Sequence, residues 1–227
     1  MLIVGIDTSW KNGGIALARG DQNTCTLLDT APLQGGTFSA QLVPQIAAIL
    51  ARNGFTKHDL HALAAVAGPG SFTGLRVGLA AVKGLAEVLR LPIATATVLE
   101  LLALAAAVEG RVIAALDASR HELFFGDFDV QGGFAVPREQ TLLAEEPFLA
   151  RLRGAGPLPA NRLVTADASV TALLQGAALQ TTLLPRPSAA EVARLGLRKI
   201  AAGQTVTPEA LDAAYLRRSD AEIFSKK

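Results

Sequence analysis

The sequence predicts an α/β protein made of two copies of one βββαβα unit. Two observations lead there. Ile3-Val4-Gly5-Ile6-Asp7-Thr8-Ser9 is echoed 110 residues later by Ile113-Ala114-Ala115-Leu116-Asp117-Ala118-Ser119. Buried apolar runs, Gly-rich turns and helically spaced segments then follow in the same order in both halves.

In the first half Leu2 to Ile6 is a continuous apolar run, as a buried strand requires. The turn at Asn12-Gly13-Gly14 leads into a second strand that ends at Arg19-Gly20, and "CTLLDTAPL" supplies a third. Leu42, Ile46, Ile49 and Leu50 recur at helical spacing, so a helix is expected over roughly Thr37–Arg52, with Gly54 just past its end. Pro44 falls within the first two turns of that helix. "LAAVAG" reads as a short buried strand, followed by a glycine-rich helix over Ser71–Arg90. From Arg111 the pattern repeats, with a strand through Phe128, a turn at Gly132-Gly133 and a strand near Thr141. Then come a helix at "EPFLARLRG", a strand at "RLVTA" and a helix at "ASVTALLQG". The expected division is 1–106 and 107–227, with "TPEALDAAYLRRSD" crossing back onto the first half.

A duplicated βββαβα unit is the ribonuclease-H-like pattern of the actin, Hsp70 and sugar-kinase superfamily. In that architecture the aspartates ending each half's first strand face a cleft and manage Mg²⁺ and phosphates. Asp7, with Thr8 and Ser9 beside it, and Asp117 stand at those places. Each also reads as an ordinary turn cap.

Composition narrows the function classes. Half of the 227 residues are hydrophobic and 18% are charged, a globular balance with length for a sizeable core. Lys and Arg number 21 against 20 Asp and Glu, and they are scattered, so the basic patch of a nucleic-acid binder is missing. The single cysteine, Cys25, excludes an internal disulfide and any cysteine-based zinc cluster and fits a reduced, cytoplasmic setting. Asp7 interrupts the opening apolar run too early for a signal peptide, and "LELLALAAAVEG" is too short to span a bilayer, so no membrane role is expected.

The nucleotide chemistry of the superfamily looks impoverished. A phosphate cradle needs backbone N–H groups unobstructed by side chains, hence glycine. No glycine follows Asp7 before Gly13, none follows Asp117 before Gly126, and "LVTADASV" has none where a second-half glycine turn would seat adenosine. "GPGSFTG" is not a Walker loop either, because no Lys-Ser/Thr pair follows, and Ser71 reads as an N-cap. His58 and His61 lie in a polar connector with no evident third ligand, and no nucleophile elbow appears around Ser119 or His121.

The glycines of the second helix need another explanation. An interior glycine costs a helix about 0.5–1 kcal/mol relative to alanine, and this one carries Gly74, Gly78 and Gly84. Spacing of four puts Gly70, Gly74, Gly78 and Val82 on one face, flanked by Leu75 and Leu79. Such a groove admits another backbone closely. It serves either the chain's own sheet and first helix or a helix of a second chain.

The signature "GPGSFTGLRVG", with "GIDTS", "ALDASRHELFFGDF" and "AAYLRRSD", resembles the TsaB (YeaZ) family over nearly the whole chain. The resemblance implies an actin-like pseudo-ATPase without a catalytic residue, metal or firmly bound cofactor, leaving at most weak or interface-dependent ATP or ADP. It implies pairing with the catalytic paralogue TsaD, with the ATPase TsaE in the larger complex. That complex moves a threonylcarbamoyl group from threonylcarbamoyl-AMP to the tRNA adenosine 3′ of the anticodon, and tRNA meets this chain only through it. In the family the first helix and the glycine-rich helix form the docking surface, also used in a homodimer of the isolated protein. Carried onto this sequence, the expected contacts are Leu42, Val43, Ile46, Phe72, Gly74, Leu75, Gly78, Leu79 and Val82. Two departures are Phe38-Ser39, where many relatives have His-Ser, and Ala166-Asp167-Ala168 in place of the second-half glycine turn. The competing expectation is a divergent actin-like ATPase or small-molecule kinase using Asp7 and Asp117.

Overall fold

A computed structural model describes residues 1–154, 156 and 159–216, so the end of the "AAYLRRSD" motif lies outside the described residues. The chain divides into two compact units. One is Met1–Leu101 with Pro187–Ala213; the other is Leu102–Arg186 with 214–216.

The first unit begins with β1 (Leu2–Asp7), β2 (Asn12–Gly20) and β3 (Cys25–Gln34), a meander of antiparallel strands. Helix α1 (Phe38–Arg52) leads to β4 (Ala62–Gly68), α2 (Phe72–Leu89) and β5 (Ile93–Thr97), and α3 (Val98–Ala105) carries the chain onward. The strand order is β3-β2-β1-β4-β5, with β4 parallel to β1 and β5 parallel to β4. The second unit repeats it with β6 (Gly110–Asp117), β7 (Glu122–Gln131), β8 (Phe134–Ala144), α4 (Glu145–Gly154), β9 (Leu163–Thr165), α5 (Ala168–Gly176) and β10 (Thr182–Leu183). Its order is β10-β9-β6-β7-β8, the same arrangement read from the opposite edge. This is a duplicated actin-like fold.

Each unit carries a fifth strand that the βββαβα reading lacks. β5 reads Ile-Ala-Thr-Ala-Thr and β10 is two residues long, so neither makes an apolar run of the kind that marks a buried strand. The further helix α6 (Ala189–Ala201) belongs to the first unit, although it lies beyond the second in sequence. Residues 187–213 therefore pack with 1–101 rather than with 107–186.

The alternation of side chains in β1 explains why the first unit needs helices on both faces. Leu2, Val4 and Ile6 point into a core shared with Leu42, Ile46 and Ile49 of α1 and Leu79 and Val82 of α2. Ile3 and Gly5 point the other way, toward α6. Gly196 lets α6 lie directly on the sheet, because a methyl group there would meet Ile3 Cδ1 at 2.9 Å. The helix starts on a capping box, in which Glu191 accepts from the Ser188 backbone N–H at 2.9 Å and Ser188 Oγ accepts from the Ala190 N–H at 3.2 Å. In the second unit Ile113, Phe125, Leu163 and Val170 pack with Phe148 and Leu152 of α4, the Phe125 and Phe148 rings meeting edge-on at 6.2 Å.

The far end of α6 is held by a buried ion pair. Lys199 Nζ lies 2.7 Å from Glu100 Oε1 at the start of α3 and donates to the Thr95 carbonyl of β5 at 2.8 Å. Burial pushes the Glu100 carboxyl above its ordinary value, and the Lys199 charge pulls against it. A pair of this kind fixes where α6 sits more than it adds stability. We expect Glu100→Ala to cost about 3–5 kcal/mol in denaturant unfolding, because it strands a buried ammonium, whereas Glu100→Met with Lys199→Met should unfold within about 1 kcal/mol of the parent.

Candidate functional site

The corner after β1 is closed by α2. Asp7 and Thr8 are buried and Ser9 is fully so. The Ser9 backbone N–H donates to Asp7 Oδ1 at 2.8 Å, and the Ser9 carbonyl accepts from the Ser71 N–H at 2.7 Å. Ser71 caps α2 by accepting from the Gly74 N–H at 3.2 Å. A methyl group at Gly74 would collide with the Thr8 carbonyl oxygen, and one at Gly78 with Thr8 Oγ1. These glycines therefore let α2 press against the chain's own Thr8–Ser9 corner.

This corrects most of the expected docking contacts. Leu42, Ile46, Leu75, Leu79 and Val82 are buried in the first unit's core, and Gly74 and Gly78 are buried against Thr8. The periodic apolar stripe is the inner face of each helix, since burial against the chain's own sheet imposes the same spacing as burial against a partner. Of the nine residues, Val43 and Phe72 reach the surface, at 48% and 40% exposure.

What α1 and α2 present outward is of another kind. On α1 the exposed positions include Ala40, Val43, Pro44 and Ala47, and the single charge on the helix is Arg52 at its end. On α2 they include Phe72, Ala80, Gly84 and Val88, the last at 77% exposure. A methyl group at Gly84 would touch nothing within 4 Å, so this glycine serves no internal packing. Arg76 stacks its guanidinium 3.7 Å from the centre of the Phe72 ring. The two helices pack side by side, and α1 is fixed at its end, where Arg52 pairs with Asp29 of β3 and donates to the Thr30 carbonyl at 3.0 Å. Arg52 and Asn53 hold the Asp29 carboxyl far below the usual carboxylate range. A groove of about 450 Å³ opens at the starts of both helices, lined by Trp10, Lys11, Gly36, Phe38, Ser71 and Val77. The exposed positions Ala40, Pro44, Ala47, Ala80, Gly84 and Val88 were not among the residues expected from the sequence. Their signal is the near absence of Lys and Glu on the outer face of α1, where a solvated helix carries charge.

In the second unit Asp117 is engaged in holding the turn after β6. Its Oδ1 accepts from the Ser119 N–H at 2.6 Å and its Oδ2 from Ser169 Oγ at 3.1 Å, while its own N–H donates to Asp167 Oδ2 at 2.8 Å. Ser119, Arg120 and His121 all adopt left-handed backbone, with φ of 60°, 56° and 59°. The Glu122 N–H closes that turn on the Ser119 carbonyl at 3.1 Å. His121 Nδ1 faces Glu145 Oε1 at 3.2 Å. His61 Nδ1 accepts from the Leu2 N–H at 3.3 Å, which ties the ring to β1. Among the described residues no group of three or more His, Cys, Asp and Glu is placed to hold a metal ion, and no helix is long and apolar enough to cross a membrane.

Comparison with known proteins shows what the chain is similar to. Residues 35–140, which include α1 and α2, match the family model described as TsaD: tRNA N6-adenosine threonylcarbamoyltransferase. The chain is 29% identical over 233 aligned residues to tRNA threonylcarbamoyladenosine biosynthesis protein TsaB of Bacillus subtilis (strain 168), covering 98% of this chain and 96% of that protein. It is 27% identical to the protein of the same description from Escherichia coli (strain K12), covering 96% of each. Among solved structures, "YeaZ from Pseudomonas aeruginosa" superposes with a TM-score of 0.72 over 95% of this chain and 99% of that one, at 24% identity, a likeness of fold. From end to end, and on a shared fold, the chain is similar to proteins of the TsaB (YeaZ) family.

Proposed function

We propose that this protein is a non-catalytic subunit in the synthesis of N6-threonylcarbamoyladenosine in tRNA. In this reading it docks on and activates a TsaD-type transferase, which moves the threonylcarbamoyl group from threonylcarbamoyl-AMP to the adenosine 3′ of the anticodon. The observation that carries the reading is the end-to-end similarity to two relatives described as TsaB. TsaE joins in the larger complex, and tRNA reaches the assembly through the partner.

The docking surface is the outer face of α1 and α2, with small residues at Ala40, Ala47, Ala80 and Gly84 and larger apolar groups at Val43, Phe72 and Val88. Small side chains permit close helix approach, and burying Val43 and Val88 would release apolar surface from water. The isolated protein uses the same face to form a homodimer. The corner behind Asp7 and the turn behind Asp117 spend their carboxylates on internal hydrogen bonds. In this reading the chain alone therefore turns over no ATP, and any ATP or ADP belongs to the junction with the partner.

Light scattering after size exclusion tests the pairing. A homodimer of the protein alone should give way to a heterodimer when TsaD of the same host is added; a monomer that ignores TsaD would overturn the reading. Gly84→Leu should lose the heterodimer while keeping its thermal transition, and Gly84→Ala should stabilise the isolated chain by about 0.5–1 kcal/mol. Gly78→Leu should instead cost about 3 kcal/mol or more, because the new side chain meets Thr8. In a coupled phosphate-release assay Asp7→Ala should leave the baseline where it is; ATP turnover by the parent that vanishes in this variant would establish the kinase-like alternative.

A further inference from the structure

The chain after α6 returns to the helix that the proposed docking uses. Gly203 turns the backbone with φ of 71°, and the Gln204 N–H closes on the Lys199 carbonyl at 2.8 Å. Val206 then bridges to Ile93 of β5, its N–H donating to the Ile93 carbonyl at 2.9 Å, which covers part of that edge strand. Thr207 builds one further turn: its Oγ1 accepts from the Ala210 N–H at 3.3 Å and its carbonyl from the Leu211 N–H at 3.0 Å. That turn delivers Leu211, 3% exposed, into the core cluster containing Leu79, Val82 and Ala86 of α2 and Ile93 of β5. Hydrogen bonding to Thr207, with a smaller pull from Lys83 of α2, holds the Glu209 carboxyl below its ordinary value.

Helix α2 depends on such support. Its interior glycines weaken it as an isolated helix, so tertiary contacts must hold it in place. Its first half rests on Thr8 through Gly74 and Gly78. Further along, Leu79, Val82 and Ala86 belong to the same core cluster as Leu211. We propose that residues 204–213 form a strap that positions the second half of α2 for docking, so that seating of the strap and binding of a partner on the outer face of α2 stabilise each other. Leu211 is then a positioning residue, remote from the partner. Linkage makes the effect reciprocal: whatever factor the strap adds to partner affinity, the partner adds to strap seating. The coupling rests on the docking reading above; the support of α2 does not.

Hydrogen exchange on the full chain, alone and with TsaD, tests it. In Leu211→Ala the amides of residues 79–89 should exchange about tenfold faster or more while those of α1 keep their protection, and Leu211→Met should restore the parent rates. Partner affinity should fall roughly 5- to 150-fold in Leu211→Ala, and adding TsaD to the parent should slow exchange in 204–213. If Leu211→Ala does not fold, Glu209→Lys takes its place, since it sets a like charge near Lys83 without disturbing the core. Unchanged α2 exchange in the folded variant would overturn the strap. Faster α2 exchange with unchanged affinity would overturn the coupling alone. A parent chain that pairs with nothing would sink the docking reading and the coupling together, while the exchange of α2 in the isolated chain still decides whether the strap supports it.

Discussion

The close approach of α2 to the Thr8–Ser9 corner is the contact on which the first unit is arranged. Two glycines one turn apart let a helix backbone lie against the end of β1 where any side chain would strike Thr8. That contact fixes the depth and angle of α2, and with it which stripe of the helix enters the core and which faces outward. The order of the helix face that looks outward is thus a consequence of one packing event at the end of β1.

The outer face of α1 is unusual because it lacks the charge that normally keeps a helix solvated. Alanine, proline and valine on α1 sit next to alanine, glycine and valine on α2, with Phe72 capped by Arg76 at one end. The face is held from behind rather than by its own helical propensity. Arg52 and Asn53 anchor α1 to β3, Thr8 and Ser71 anchor the start of α2, and the core cluster that Leu211 enters backs its later turns. A surface intended for another chain benefits from such backing, because flexibility lost before binding is not lost again on binding.

The chain's order of elements differs from its order in space. α6 and the strap come after the second unit, yet they complete the first, through Gly196 against Ile3 and the Lys199–Glu100 pair. The sheet of the first unit is apolar on both faces, so without residues 187–213 one of those faces would lie open to water. Sequence-distant closure of this sort also links residues 204–213 to the helix proposed for docking.

The sequence by itself determined the duplicated unit, the helical spans near 38–52 and 72–89, and the poverty of glycine around Asp7 and Asp117, because these are properties of local spacing and residue type. The Ser188–Glu191 spacing that opens α6 is also a local signal, but the two-copy reading made no use of it. Tertiary structure decided which side of each helix is outside. A stripe such as Leu75, Leu79 and Val82 has the same period whether it meets the chain's own sheet or a stranger's, and only the position of Thr8 against Gly74 and Gly78 distinguishes the two. The same holds for Gly84. Its cost to the helix is legible in the sequence, but the open space beside it is not, because that space exists only once the rest of the unit is in place.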